Sequence, residues 1–137
     1  MNDKISIVKY ESGDEKDIDP VEQTLSSHPD YQNTWNKIVH PSQTWTGIHQ
    51  NKIVGVGGIL PEECHAVVWV LIDKSLLAKP ILMFRTLKRG LEFVERLYQG
   101  ELRTYVQHGF KAACHLMTHL GFKPIGSEGN YWMYKKE

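Results

Sequence analysis

The sequence predicts an α/β fold with one mixed, mostly antiparallel, twisted sheet and flanking helices. Three observations carry this. His65 to Asp73, HAVVWVLID, is a short apolar run rich in valine. That is the composition of a strand buried on both faces at a sheet centre. Pro80 to Tyr98 places Phe84, Leu87, Leu91, Val94 and Tyr98 at spacings of three and four. That is one apolar stripe of an amphipathic helix, with Pro80 near its start, where a missing N–H costs nothing. Thr44 to Gln50 and Lys52 to Leu60 flank a tight polar turn at Gln50-Asn51-Lys52, which is a hairpin signal.

The remaining elements follow in order. Ile5, Ile7 and Tyr10 anchor a first strand, and the acidic stretch Glu11 to Asp19 holds turn chemistry at Ser12-Gly13-Asp14. Two short helices are expected at Pro20 to Leu25 and Pro29 to Val39, the second ending before Pro41. Gly55, Gly57 and Gly58 inside a strand point to a bulge or to close backbone approach. Gly100 breaks the long helix, and Glu101 to Gln107 reads as the fifth strand. A helix from Phe110 through Leu120 ends at Gly121, a natural C′ glycine. The tail forms a last hairpin with Gly126 to Asn130 as its turn. A crossover helix between the fourth and fifth strands makes those two parallel, with the usual right-handed connection.

At 137 residues the chain is read as a single domain over 1–137, long enough to bury a core. Apolar residues at 41% and charged residues at 23% fit a water-soluble globular protein. A formal net charge of zero speaks against broad binding to nucleic acid or an acidic membrane. No apolar run approaches the ~20 residues that span a bilayer. The N-terminus has no apolar signal core, and Cys64 and Cys114 make neither a zinc pattern nor a disulfide framework. The expectation is a cytoplasmic protein with no metal. His115 and His119, at i and i+4, have the spacing of a metal pair but no third ligand beside them; a solvent-facing pair is the simpler reading.

The order of elements resembles the GNAT family of N-acetyltransferases. Two stretches add to this: the meander GIHQNKIVGVGGI leading into VVWVLID, and AACHLMTHLGFKPIG, which looks like the family's A-x-x-x-Y-x-x-x-GF segment. The glycine-containing meander, Trp69 in the central strand and a long basic helix also look like the small GNAT-like phage proteins of the internal-virion-protein-A type. The resemblance implies acetyl-CoA as co-substrate and an amine as acceptor. It places cofactor contacts on the backbone of Val70, Leu71 and Ile72. It also implies a base near Glu62, Glu63 and His65, where the plainer reading is an acidic turn.

Two departures matter. The family's pyrophosphate loop, Q/R-x-x-G-x-G/A, is here Lys74-Ser75-Leu76-Leu77-Ala78-Lys79-Pro80, without glycine. Lys74, Ser75 and Lys79 are the candidates for side-chain contacts to phosphate; a solvated loop with two lysines is the plainer reading. Met117 stands where the family often has the tyrosine that protonates the leaving thiolate, and methionine has no proton to give. Tyr105 or Tyr134 would have to substitute. Glu63, His65 and Tyr134 are therefore the catalytic candidates. The departures also leave open a non-catalytic binding or virion-assembly factor with a protein partner, phage-encoded and found in host cytoplasm or virion.

Overall fold

A computed structural model of the chain describes residues 5–11, 13–18, 43–109 and 111–136. The two short helices expected between Pro20 and Val39 lie outside the described residues. The strands are β1 (Ser6–Lys9), β2 (Thr44–His49), β3 (Lys52–Pro61), β4 (Ala66–Ile72), β5 (Leu102–Gln107), β6 (Lys123–Glu128) and β7 (Tyr131–Lys136). The helices are α1 (Pro80–Leu97) and α2 (Lys111–His119). Short 3-10 turns cover Asp14–Asp17 and Lys74–Ala78. The strands form one sheet in the order β1-β2-β3-β4-β5-β7-β6. Among the described strands, only β4 and β5 are parallel. The right-handed twist of strands and the α1 crossover make this the expected arrangement.

The β2–β3 turn has positive φ at both Gln50 (51°) and Asn51 (63°), the backbone of a two-residue hairpin turn that follows strand twist. Gly47 pairs with Gly55 and Ile48 with Ile53, so Val54 is the extra residue of a bulge in β3. The glycines serve close approach as well. A Cβ on Gly57 would lie 2.6 Å from the Trp45 indole, and one on Gly58 would lie 2.4 Å from the Gln43 carbonyl oxygen.

Both helices share one face of the sheet. Ala66, Val70 and Ile72 of β4, Leu102 and Val106 of β5 and Tyr134 of β7 pack in one core with Leu82, Met83, Leu87, Leu91 and Val94 of α1 and with Ala113 and Met117 of α2. Lys88 and Glu92 are exposed and Phe84 is half-buried, so the buried stripe is turned slightly toward Met83, Thr86 and Gly90 from the one the spacing suggests. The intermediate strand residues face the other way: Val56 and Trp69 pack with Tyr10 and Ile18, and Val67 packs with Tyr105 and Tyr131. On that side Asp14 ties the acidic turn down by accepting from Thr46 Oγ1 at 2.7 Å.

α2 ends as expected. Phe122 N–H donates to the Met117 carbonyl and Gly121 N–H to the Thr118 carbonyl, with Gly121 at φ 96°. That is a Schellman closure. The last hairpin differs from expectation: its turn is only Gly129-Asn130, and Gly126 instead sits in a β6 irregularity beside Met133.

Candidate functional site

Among the described residues, the sheet opens between β4 and β5. Backbone pairing covers only Ala66 with Leu102 and Val67 with Arg103, supported by Ala66 N–H donating to the Glu101 carbonyl at 3.0 Å. At the next step the ladder is replaced by a side chain: Thr104 Oγ1 donates to the Val68 carbonyl at 3.1 Å. Thr104 is fully buried. Beyond it the strands are no longer paired. The bonds at Ala66 and Val68 fix which backbone groups face β5. Because the strand alternates, those of Val70 and Ile72 face the opening and those of Leu71 face β3, where Leu71 is in register with Val56. The result is a wedge whose apex is Thr104 and whose β4 wall presents main-chain donors and acceptors.

At the wide end, β4 leads into the 3-10 turn and α1. The glycine-free connection is folded tightly. Asp73, 3% exposed, accepts from Ser75 N–H at 3.1 Å and from Ser75 Oγ at 2.5 Å. Lys52 Nζ approaches the same oxygen at 3.4 Å. Leu76 N–H donates to the Asp73 carbonyl, and the Leu76 side chain is buried in the core. Lys74, Ser75 and Lys79 are exposed around this turn. The stretch is thus a capped turn rather than an open solvated loop. Asp73 already occupies donors at the place where a phosphate cradle would need them.

At the narrow end, Glu63 is exposed and His65 half-buried in the β3–β4 turn, which Glu62 N–H closes on the His65 carbonyl at 2.7 Å. His65 precedes Val68 by three strand residues, a rise of about 10 Å. The Glu101 carboxyl nearby is held below the usual carboxylate range, chiefly by the hydrogen bond from Arg103 Nε at 2.5 Å. On the face away from the helices, burial first and then the charges of Glu128 and Glu62 raise the Tyr105 phenol. On the helix face, Tyr134 is in register with Thr104 and 6% exposed. Burial, and then its hydrogen bond with Cys114 of α2, push its phenol up to about 12. Met117, one turn after Cys114, is buried in the core.

Val70 and Ile72 thus edge the opening with Thr104 at its apex, and Lys74, Ser75 and Lys79 follow at its wide end, while His65 and Glu63 lie before the paired residues of β4 and Tyr134 lies across β5 on β7. Thr104 and Asp73 were not expected from the sequence. A threonine within a strand carries no local signal of a partner on another strand. Among the described residues no group of three His, Cys, Asp or Glu is placed to hold a metal, and His115 and His119 are exposed. No helix among them is long and apolar enough to cross a membrane.

No protein-family model and no curated protein matches the sequence. Solved structures do match over nearly the whole chain. A GCN5-related N-acetyltransferase from Kribbella flavida superposes with a TM-score of 0.72 at 13% identity, covering 96% of each chain. The PaiA N-acetyltransferase from Thermoplasma acidophilum, solved in complex with coenzyme A, gives 0.69 at 15% identity, over 98% of this chain and 99% of the other. A GNAT family acetyltransferase from Elizabethkingia anophelis with acetyl-CoA bound gives 0.62 at 14% identity, over 99% of both. At these identities the likeness is one of fold, and the chain has the mixed, seven-stranded GNAT fold with its parallel pair at β4 and β5.

Proposed function

We propose that the chain is a GNAT-type N-acyltransferase that moves an acetyl group from acetyl-CoA to an amine, with a degenerate diphosphate site. The observation that carries this is the β4–β5 wedge, whose open β4 edge offers the backbone groups of Val70 and Ile72 to an extended ligand. Two solved neighbours of the same fold hold coenzyme A or acetyl-CoA. The pantetheine arm pairs with Val70 and Ile72, while Leu71, half-buried, contributes its side chain. Lys74, Ser75 and Lys79 meet the phosphates.

In the reaction the amine nitrogen attacks the thioester carbonyl carbon. A C–N bond forms, the C–S bond breaks, and the electron pair leaves on sulfur. Glu63 or His65, at the narrow end, takes the ammonium proton, directly or through water. Met117 has no proton for the thiolate, so Tyr134, which reaches Cys114 of α2, takes that place. With its phenol pushed up to about 12, Tyr134 gives a proton reluctantly, so it steadies the sulfur by a hydrogen bond and turnover is slow.

The capped turn at Asp73 favours a second reading, a GNAT-like protein that binds a protein partner, as in virion assembly, without catalysis. Calorimetric titration of acetyl-CoA at low and high salt, on wild type and on Lys74→Ala with Lys79→Ala, separates the two. The acyltransferase reading expects weak binding that salt and the double variant weaken further, since exposed charges are screened over about 8 Å at physiological ionic strength. No binding at millimolar acetyl-CoA sinks it in favour of the second reading.

A further inference from the structure

We propose a ligand site for a free apolar amino acid, in a groove between the start of the chain's first strand and the second half of α1. A cavity of about 250 Å³ opens there at the edge of the sheet, lined by Ile5, Ile7, Arg89, Glu92, Phe93 and Arg96. β1 is the edge strand and β4 lies three places further in, so the groove stands roughly 14 Å from the near wall of the wedge at ~4.8 Å per strand. Sites for drug-sized ligands run to about 300–1,000 Å³, so the occupant here is small.

The walls follow from the periods of the two elements. On α1, Arg89, Glu92, Phe93 and Arg96 are spaced by three and four, so they share one face. Ile5 and Ile7, on either side of Ser6, both point to the helix side of the sheet. Ile5 is buried in the core with α1, and Ile7 and Phe93 pack against that core. These three make a fixed apolar floor. Arg89 donates from Nη1 to the Ile5 carbonyl. That bond ties its guanidinium to the strand and lays its stem across one end of the groove.

The charges over this floor select the ligand. Glu92 and Arg96 are both exposed and one helical turn apart, a rise of about 6 Å. Glutamate four residues before a cation is the favourable orientation for a direct pair. Among the described residues no ion pair joins these two. A simple anion would suit Arg96 but meet the carboxylate of Glu92. A simple amine would suit Glu92 but meet two guanidinium groups. A zwitterion suits both: its carboxylate accepts paired N–H bonds from Arg96, and its ammonium donates to Glu92. In an α-amino acid both groups leave one carbon, so the side chain is free to lie between Ile5, Ile7 and Phe93. Exposed charges contribute little alone, so burial of an aliphatic side chain of leucine size supplies most of the affinity and the charges supply the selection.

The test is an NMR titration of the intact chain with L-leucine, with 4-methylpentanoate, which lacks the ammonium, and with 3-methylbutylamine, which lacks the carboxylate. Sodium chloride is the ionic-strength control. Leucine should give saturable shifts of the Ile5 and Ile7 methyl groups and the Phe93 ring at millimolar concentration, and each truncated ligand should bind roughly threefold to tenfold more weakly. Glu92→Gln and Arg96→Gln, both at exposed positions, should each weaken leucine by a similar factor and leave thermal unfolding unchanged. Glu92→Gln should not weaken 4-methylpentanoate. Shifts that rise linearly and match the chloride series overturn the proposal, as does unchanged leucine affinity in both variants. Equal binding of 4-methylpentanoate and leucine would show a groove that reads an anion alone, and would overturn the amino acid. The readout at Ile7 and Phe93 does not depend on acyl transfer. Leucine shifts at Val70, Ile72 and Tyr134 in their place would mean that leucine is held as an amine acceptor in the wedge, and would overturn a separate site.

Discussion

Gly90 sits in the middle of an 18-residue helix, where glycine costs ~0.8–1.0 kcal/mol relative to alanine. On helix propensity alone, Gly90→Ala is a stabilising change. The packing reverses the sign. A Cβ on Gly90 would lie 2.2 Å from Trp45 Cζ2 and 2.3 Å from Cε2. Carbon atoms in good contact stand about 3.5–4.0 Å apart, so the indole would have to retreat by more than 1 Å. It has nowhere to go, because the other side of the ring meets Gly57 and Trp45 is only 3% exposed. Overpacking a tight core costs about 1–3 kcal/mol, and an overlap this deep belongs at the upper end. Subtracting the propensity gain leaves a net loss of about 2 kcal/mol. Urea unfolding of four proteins tests this: wild type, Gly90→Ala, Trp45→Leu and the double variant. With the indole gone, Gly90→Ala should recover its gain of about 1 kcal/mol, giving a coupling of about 3 kcal/mol between the two positions. The reasoning fails if Gly90→Ala stabilises the wild type, or if its effect is the same in both backgrounds.

Other outcomes follow from single contacts. Leu91→Ala, within the α1 core, should lower stability by about 2–5 kcal/mol in denaturant melts; a loss of a few tenths would mean the helix face is wrongly assigned. Tyr134→Phe should change the alkaline limb. The folded phenol lies near 12 against about 10 unfolded, so its contribution is complete below pH ~10 and is lost as pH rises toward 12. The variant should lose less stability between pH ~10 and 12 than wild type, and parallel melting curves across that window would contradict the assignment. Leu76→Ala should lower stability yet tighten acetyl-CoA in calorimetry, whereas weaker binding would show that the closed turn is the binding form.

The sheet was legible because its signals are local and repeat. The valine run of β4, the stripe of α1 and the Gln50-Asn51 turn each specify an element without reference to the rest, and the strand–helix–strand order then forces the parallel pair. The strand glycines announced close packing, but not that Trp45 was the partner, since that contact joins residues far apart in the chain. The site was legible only where function rests on backbone. The wedge follows from topology, so Val70 and Ile72 can be placed on its edge without any side-chain signal. Thr104 went unseen for the opposite reason. It acts through one contact, to the Val68 carbonyl, on a strand that only the folded chain brings near. Lys74 and Lys79 are exposed, as a solvated connection has them, but the residues that shape it are Asp73 before them and Leu76 among them.

That connection sets the scale of the open question about acyl transfer. A glycine loop meets a diphosphate with backbone N–H groups at no cost, since nothing else holds them. Here Ser75 N–H is bonded to Asp73, and Leu76 is 1% exposed beneath the turn. Opening it exposes a leucine side chain, worth about 1.5–3 kcal/mol, and breaks a cap worth about 1 kcal/mol. A ligand that requires the open form has its affinity divided by the inverse of that small population. The sum of ~2.5–4 kcal/mol is a factor of roughly a hundred to a thousand, at 1.4 kcal/mol per tenfold. A ligand that leaves the turn closed avoids this cost, but it meets the Asp73 carboxylate and keeps only exposed lysines for its phosphates. Either route weakens a diphosphate while leaving the proposed pantetheine contacts with β4 untouched. The closed turn therefore argues for a site that recognises the acyl-pantetheine arm first, and an acetyl-pantetheine lacking the nucleotide should lose far less affinity here than in a protein with a glycine cradle. Side-by-side titration of acetyl-CoA and acetyl-pantetheine measures that difference, and a nucleotide contribution of many orders of magnitude would show that the turn opens freely after all.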